Sequence, residues 1–104
     1  MNTQNTGTHI RQGFHAFDLL ATLIAVVRID GHVLFANAAL EDVMGVSRRH
    51  IEGARLSSFF TEEEGFEHAL QGAQNRAFAA LRYEAHLDRP AQDPLPVHVI
   101  VTPS

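Results

Sequence analysis

An α+β fold is predicted from three observations: two apolar runs meet across Asp30-Gly31, helical periodicity fills the middle, and two alternating segments close the chain. The expected architecture is one antiparallel sheet, with helices inserted between its second and third strands and packed on one face. At 104 residues, 45% of them apolar, the chain has material for a single domain with one modest core.

The elements follow in order. Residues 1–9 are small and polar and are expected to form a disordered leader. Ile10, Phe14, Phe17 and Ala21 are spaced four, three and four apart, which predicts a leading helix over residues 11–21. Leu23–Ile29 is apolar at nearly every position, the pattern of a strand covered on both faces, and Asp30-Gly31 predicts a type I′ hairpin into a second strand over His32–Ala36. Asn37 is placed to cap a two-turn helix carrying Leu40, Val43 and Met44 inward, with Gly45 at its left-handed exit. Ser47 to Gly53 repeats the device, with Ser47 as cap and Ile51 inward, and Leu56, Phe59 and Phe60 anchor a short turn.

Thr61 and Glu64 read as a capping box that opens a helix whose apolar face is Phe66, Ala69, Leu70 and Ala73. Leu81 to Leu87 alternates strictly, as does Val97 to Thr102, and Asp88–Pro94 between them is a loop with two prolines. Placing His86 opposite His98 pairs Tyr83 with Val101, Ala85 with Val99 and Leu87 with Val97, so that the apolar faces coincide.

Charge and composition remove several function classes. Eight basic against twelve acidic residues give a net charge of −4, without the cationic field that nucleic acid or an anionic membrane requires. The absence of cysteine excludes disulfides, thiolate metal sites and thiol nucleophiles, and fits a cytoplasmic setting. Leu19 to Val27 is too short for a bilayer span.

Three runs carry a family resemblance: Val33-Leu34-Phe35-Ala36-Asn37-Ala38-Ala39, then Met44-Gly45-Val46-Ser47, then Ile51-Glu52-Gly53-Ala54-Arg55-Leu56 with Phe59-Phe60 following. Their order and gaps resemble a PAS domain, the small sensory module of signalling proteins, from about Phe14 to the C-terminus. Residues 10–104 are then one PAS-like domain. Leu19-Leu20-Ala21-Thr22, Ser47-Arg48-Arg49 and Val101-Thr102-Pro103 are similar to the N-terminal sensory domain of nitrogen-regulation (NtrB-type) sensor histidine kinases.

That likeness implies a cytoplasmic homodimer upstream of an ATP-dependent histidine kinase, working with a response regulator and a PII-type signal protein. The kinase motifs themselves are absent from this sequence, so the chain is not expected to be an enzyme. In the family a fifth strand lies between the first and the fourth. The chain ends directly after its fourth strand, so it is expected to be a C-terminally truncated piece of a longer protein. Its first and fourth strands then close on each other, or a second chain supplies a strand.

Seven histidines invite a metal or haem reading. Their spacing offers no helical i, i+3 or i+4 pair, and His68 lies 200° around its helix from Phe66, so no metal, haem, flavin or other cofactor is expected. Glu62–Glu64 fan out around a helix start rather than converge on an ion, and Arg48-Arg49 reads as a solvated helix start. No nucleophile elbow, zinc-protease helix or phosphate loop occurs. The residues expected to line any ligand pocket are Phe35, Leu40, Met44, Leu56, Phe60, Phe66, Leu70 and Tyr83. Ile24, Val26 and Ile100 are apolar but out of phase with the core set, and with Ile10, Phe14 and Phe17 they form the expected dimer interface. A small-ligand PAS sensor of another signalling protein is the competing reading, and a small α+β enzyme a more distant one.

Overall fold

The computed structural model describes residues 22–103. The expected leader, the leading helix and its residues Ile10, Phe14 and Phe17 lie outside them. The described chain runs β1 (Ala25–Val27), β2 (Val33–Ala36), α1 (Ala38–Met44), α2 (Arg48–Ile51), a 3-10 turn (Leu56–Phe59), α3 (Glu63–Gln74), β3 (Leu81–Leu87) and β4 (Leu95–Val101). The strands form two separate antiparallel pairs, β1 with β2 and β3 with β4. The expected α+β arrangement, with helices between the second and third strands, is present, but direct closure of the first strand on the fourth is not: an open cleft separates them.

The first hairpin is shorter and more open than its apolar run suggests. Val26 faces Phe35 but Val27 faces Val33, so the ladder carries a bulge, and Ile29 is 72% exposed rather than covered. The turn also differs from a type I′ hairpin. Arg28 C=O accepts from Gly31 N–H at 2.9 Å and Arg28 N–H donates to His32 C=O at 2.8 Å, which makes a three-residue loop with positive φ at Gly31 only. This loop is held to α3: Gln74 donates to Ile29 C=O, Arg55 bridges Asp30 C=O and Glu67, and a β-carbon on Gly31 would come within 3.0 Å of Leu70.

Asn37 does more than cap. Buried completely, its Oδ1 accepts from Leu40 N–H at 3.1 Å and from Ile24 N–H at 3.0 Å, while Nδ2 donates to Thr22 C=O at 2.7 Å. One side chain thus starts α1 and continues the β1–β2 ladder past its backbone end. Gly45 closes α1 in the left-handed region as expected. Ser47 does not cap α2. Its Oγ lies 2.9 Å from His50 Nδ1, and Glu41 Oε2 accepts from Arg48 N–H instead.

The second pair is regular. Register runs Leu81↔Val101, Tyr83↔Val99, Ala85↔Val97 and Leu87↔Leu95, two residues away from the expected one, so that His86 faces Pro96 and His98 faces Glu84. A two-residue slip keeps every side chain on its face, which is why the apolar alternation fits both. The segment before α3 pairs along the other edge of β3. Thr61 N–H donates to His86 C=O at 2.9 Å, Asp88 N–H to Phe59 C=O at 2.9 Å, and Phe60 bridges Leu87. The capping box therefore does not form: α3 starts after Glu62, whose carboxylate accepts from His86 N–H and lies 2.6 Å from His86 Nδ1. Val33, Ala36, Leu40, Met44, Ile51, Phe60, Phe66, Ala85 and Leu87 make the core cluster that joins the two pairs through the helices.

Candidate ligand cleft

The helices between the strand pairs build a floor. Leu40 comes from α1, Leu56 from the 3-10 turn, and Phe66 and Leu70 from one face of α3, where Phe60 stacks on Phe66 at 5.6 Å between ring centroids. Ala25 to Ile29 form one wall, and Val97 to Pro103 the other. The volume of the cleft is about 810 Å³, within the range of small-molecule sites. Its charged lining is Arg28 and Arg76, with His98 also on the wall and no carboxylate among the described wall residues.

Leu40, Leu56, Phe60, Phe66 and Leu70 of the residues anticipated for a pocket stand on this floor. Phe35 and Met44 are 1% and 2% exposed and belong to the packed interior, with Phe35 covered by the Arg48 guanidinium 5.6 Å above its ring, so Arg48 is not merely a solvated helix start. Tyr83 lies off the cleft. Its hydroxyl is buried with no hydrogen-bond partner among the described residues, and burial together with the nearby Glu62 charge pushes its pKa up. Val26 and Ile100, expected at a dimer interface, border the cleft, with Ile100 55% exposed; Ile24 is half-buried beside β1.

The histidines disperse. His86 pairs with Glu62 and His98 with Glu84 on the outer side of β3–β4, His32 lies beside Asp30, and His68 is exposed. Among the described residues no three His, Asp or Glu side chains converge as metal ligands. The hydrogen bonds from His86 hold the Glu62 carboxyl below its ordinary range, and the Arg28 guanidinium does the same to Asp30. These shifts arise in exposed surface contacts, not in a site built for proton transfer. No described helix is long and apolar enough to cross a membrane.

Sequence reasoning missed the wall residues Thr22, Leu23, Gln74 and Arg76. They meet only because β1 and β4 stay apart, which no local periodicity reveals.

No curated protein matches the chain. Among solved structures, a PAS domain of a protein from Colwellia psychrerythraea superposes with a TM-score of 0.75 at 16% identity, covering 91% of this chain and 81% of that one. The PAS domain of an HTR-like protein from Haloarcula marismortui superposes with a TM-score of 0.69 at 17% identity, over 91% of this chain and 83% of that one. These likenesses speak for the fold. The family model described as PAS domain matches residues 21–104, the whole span from β1 to the end of β4, and on that match the chain belongs to the PAS domain family of sensory and regulatory modules, which are not catalysts.

Proposed function

We propose that this PAS domain is the sensory and dimerisation module of a bacterial two-component histidine kinase of the nitrogen-regulation type, cytoplasmic, with no bound cofactor, relaying its state to the kinase core of the parent protein. The observation that carries the reading is the match of residues 21–104 to the PAS family, taken with the Asn37, Gly45 and Gly53 positions that the likeness rests on and that hold the helices over the sheets. Homodimerisation is supported by Leu34 and Ile100, which stand 46% and 55% exposed.

Two measurements test the reading. The protein that carries this domain should label itself on histidine with ATP, and absence of acid-labile phosphate overturns the kinase assignment. The chain should run as a dimer in light scattering and fall to a monomer when Phe14→Asp and Phe17→Asp are combined; an unaltered dimer overturns the proposed interface.

A second reading, a small-ligand sensor, is favoured by the cleft itself, whose floor is apolar and whose volume suits a small molecule. Native mass spectrometry decides it: a retained small molecule supports a ligand sensor, and bare protein supports the dimerisation module.

A further inference from the structure

An ionised carboxylate only accepts hydrogen bonds, so an imidazole nitrogen paired with one carries the ring's proton. Glu62 Oε2 lies 2.6 Å from His86 Nδ1, and Glu84 pairs with His98 Nδ1. In each neutral ring the free lone pair is thereby placed on Nε2, as in metal-binding histidines whose rings are oriented by a carboxylate behind Nδ1. The lowered Glu62 carboxyl stays ionised in that role.

The β3–β4 ladder brings the two rings to one exposed face. His86 sends its N–H to Glu62 and receives Thr61 N–H at its C=O, both on the edge of β3 away from β4. His86 and Pro96 are therefore a non-hydrogen-bonded pair, and with period two Glu84 and His98 are the next such pair along the ribbon. Facing Cα atoms approach to about 4.5 Å in pairs of this kind, where side chains are closest. His86 and His98 stand on the diagonal between the two pairs, with Cα atoms roughly 7–8 Å apart. An imidazole and a metal–nitrogen bond of about 2.0–2.1 Å together reach ~5.5 Å from Cβ, so two rings can close on one ion over that span.

We propose that His86 and His98 chelate one divalent transition-metal ion of the imidazole-binding class, represented by Zn²⁺, through their Nε2 atoms on the outer face of β3–β4. Glu62 and Glu84 orient the two rings, and their charges balance that of the ion. Imidazole pairs suit Zn²⁺, whereas Mg²⁺ and Ca²⁺ require oxygen ligands. With two protein ligands and water at the remaining positions, the ion is an exchangeable effector and not a resident cofactor. It staples β3 to β4 and, through Glu62, ties the ribbon to the start of α3. Histidine spacing along the chain does not show the site, because its two ligands come from different strands. The inference does not depend on the sensor-kinase reading.

The test is a titration of Zn²⁺ into the full chain, followed through the ring nitrogen signals of its histidines. The Nε2 signals of His86 and His98 should shift together and saturate, both Nδ1 atoms should keep their protons, and Mg²⁺ should move neither ring. In His86→Gln the His98 ring, and in His98→Gln the His86 ring, should need roughly tenfold more Zn²⁺ or beyond to shift, because a chelate is lost with its first ligand. Glu84→Gln keeps both rings and should weaken binding about tenfold. His68→Gln, on α3, should leave the two signals unchanged. Absence of saturable shifts overturns the proposal. So does an unaltered response of either ring in the other's variant, which marks two independent surface histidines, and so does loss of the proton from Nδ1 or full affinity in Glu84→Gln, which removes the carboxylates from the site.

Discussion

The β1–β2 half and the β3–β4 half solve the same problem with different means. In β3–β4, seven residues pair with seven without interruption, and the ladder holds itself. In β1–β2, three residues pair across a bulge, and the buried side chain of Asn37 supplies hydrogen bonds that backbone provides in the other half. A short ladder survives where a buried polar side chain extends it, and its stability is then concentrated in a few residues. The long ladder spreads its stability over many.

The sharpest test compares one inward-facing residue from each half. Phe35→Ala in β2 removes a ring that is 1% exposed and should cost about 3 to 5 kcal/mol in denaturant unfolding. Val99→Ala in β4, at a half-buried position, should cost about 1 kcal/mol. Equal losses would erase the contrast. Next in size is Asn37→Ala, which leaves the N–H groups of Ile24 and Leu40 without their acceptor and should cost about 2 to 4 kcal/mol. Asn37→Asp keeps the acceptor but sets a second carboxyl oxygen against Thr22 C=O at a fully buried site, so it should recover little of that loss at neutral pH and more once the carboxyl is protonated; full recovery at neutral pH would show that the Thr22 bond does not matter.

Smaller effects probe the ribbon. The Glu62 carboxyl is held below its ordinary 4.5, so its contribution is present above that pH and lost as pH falls through the lowered folded value. Glu62→Gln should flatten the acid limb of a stability–pH profile, and an unchanged limb would dissociate the Glu62–His86 contact from folding. The Tyr83 phenol is raised, which reverses the sign: its contribution is complete below the ordinary 10 and declines as pH rises beyond it. Tyr83→Phe also deletes a buried hydroxyl with no partner, so it should be neutral or slightly stabilising near pH 7 and remove the alkaline decline. A destabilised Tyr83→Phe would reveal a hydrogen bond to that oxygen.

Local chemistry made much of the fold legible. Strict alternation gives β3 from Leu81 to Leu87, and Asn37 with Gly45 brackets α1. Register was not legible, because alternation fixes a strand only modulo two, and both registers leave every side chain of β3 and β4 on the same face. The capping box at Thr61 fails because Thr61 donates to His86 C=O the N–H that the Glu64 carboxylate would have accepted. β1 falls short of its apolar run because the bulge interrupts it. Of the cleft, the floor could be read from helical periodicity, whereas the walls depend on strands that do not touch.

The tether between the Ile29–Gly31 loop and α3 has a mechanical consequence. Gln74 of α3 and Arg55, itself held to Glu67 of α3, bond carbonyls of the loop, and Leu70 of α3 leaves no room for a side chain at Gly31. The glycine turn cannot slide over that helix without breaking a polar contact or driving into Leu70. Loop and helix are therefore coupled through contacts that involve neither β3 nor β4, so the tip of the first hairpin is tied to the cleft floor independently of the second strand pair.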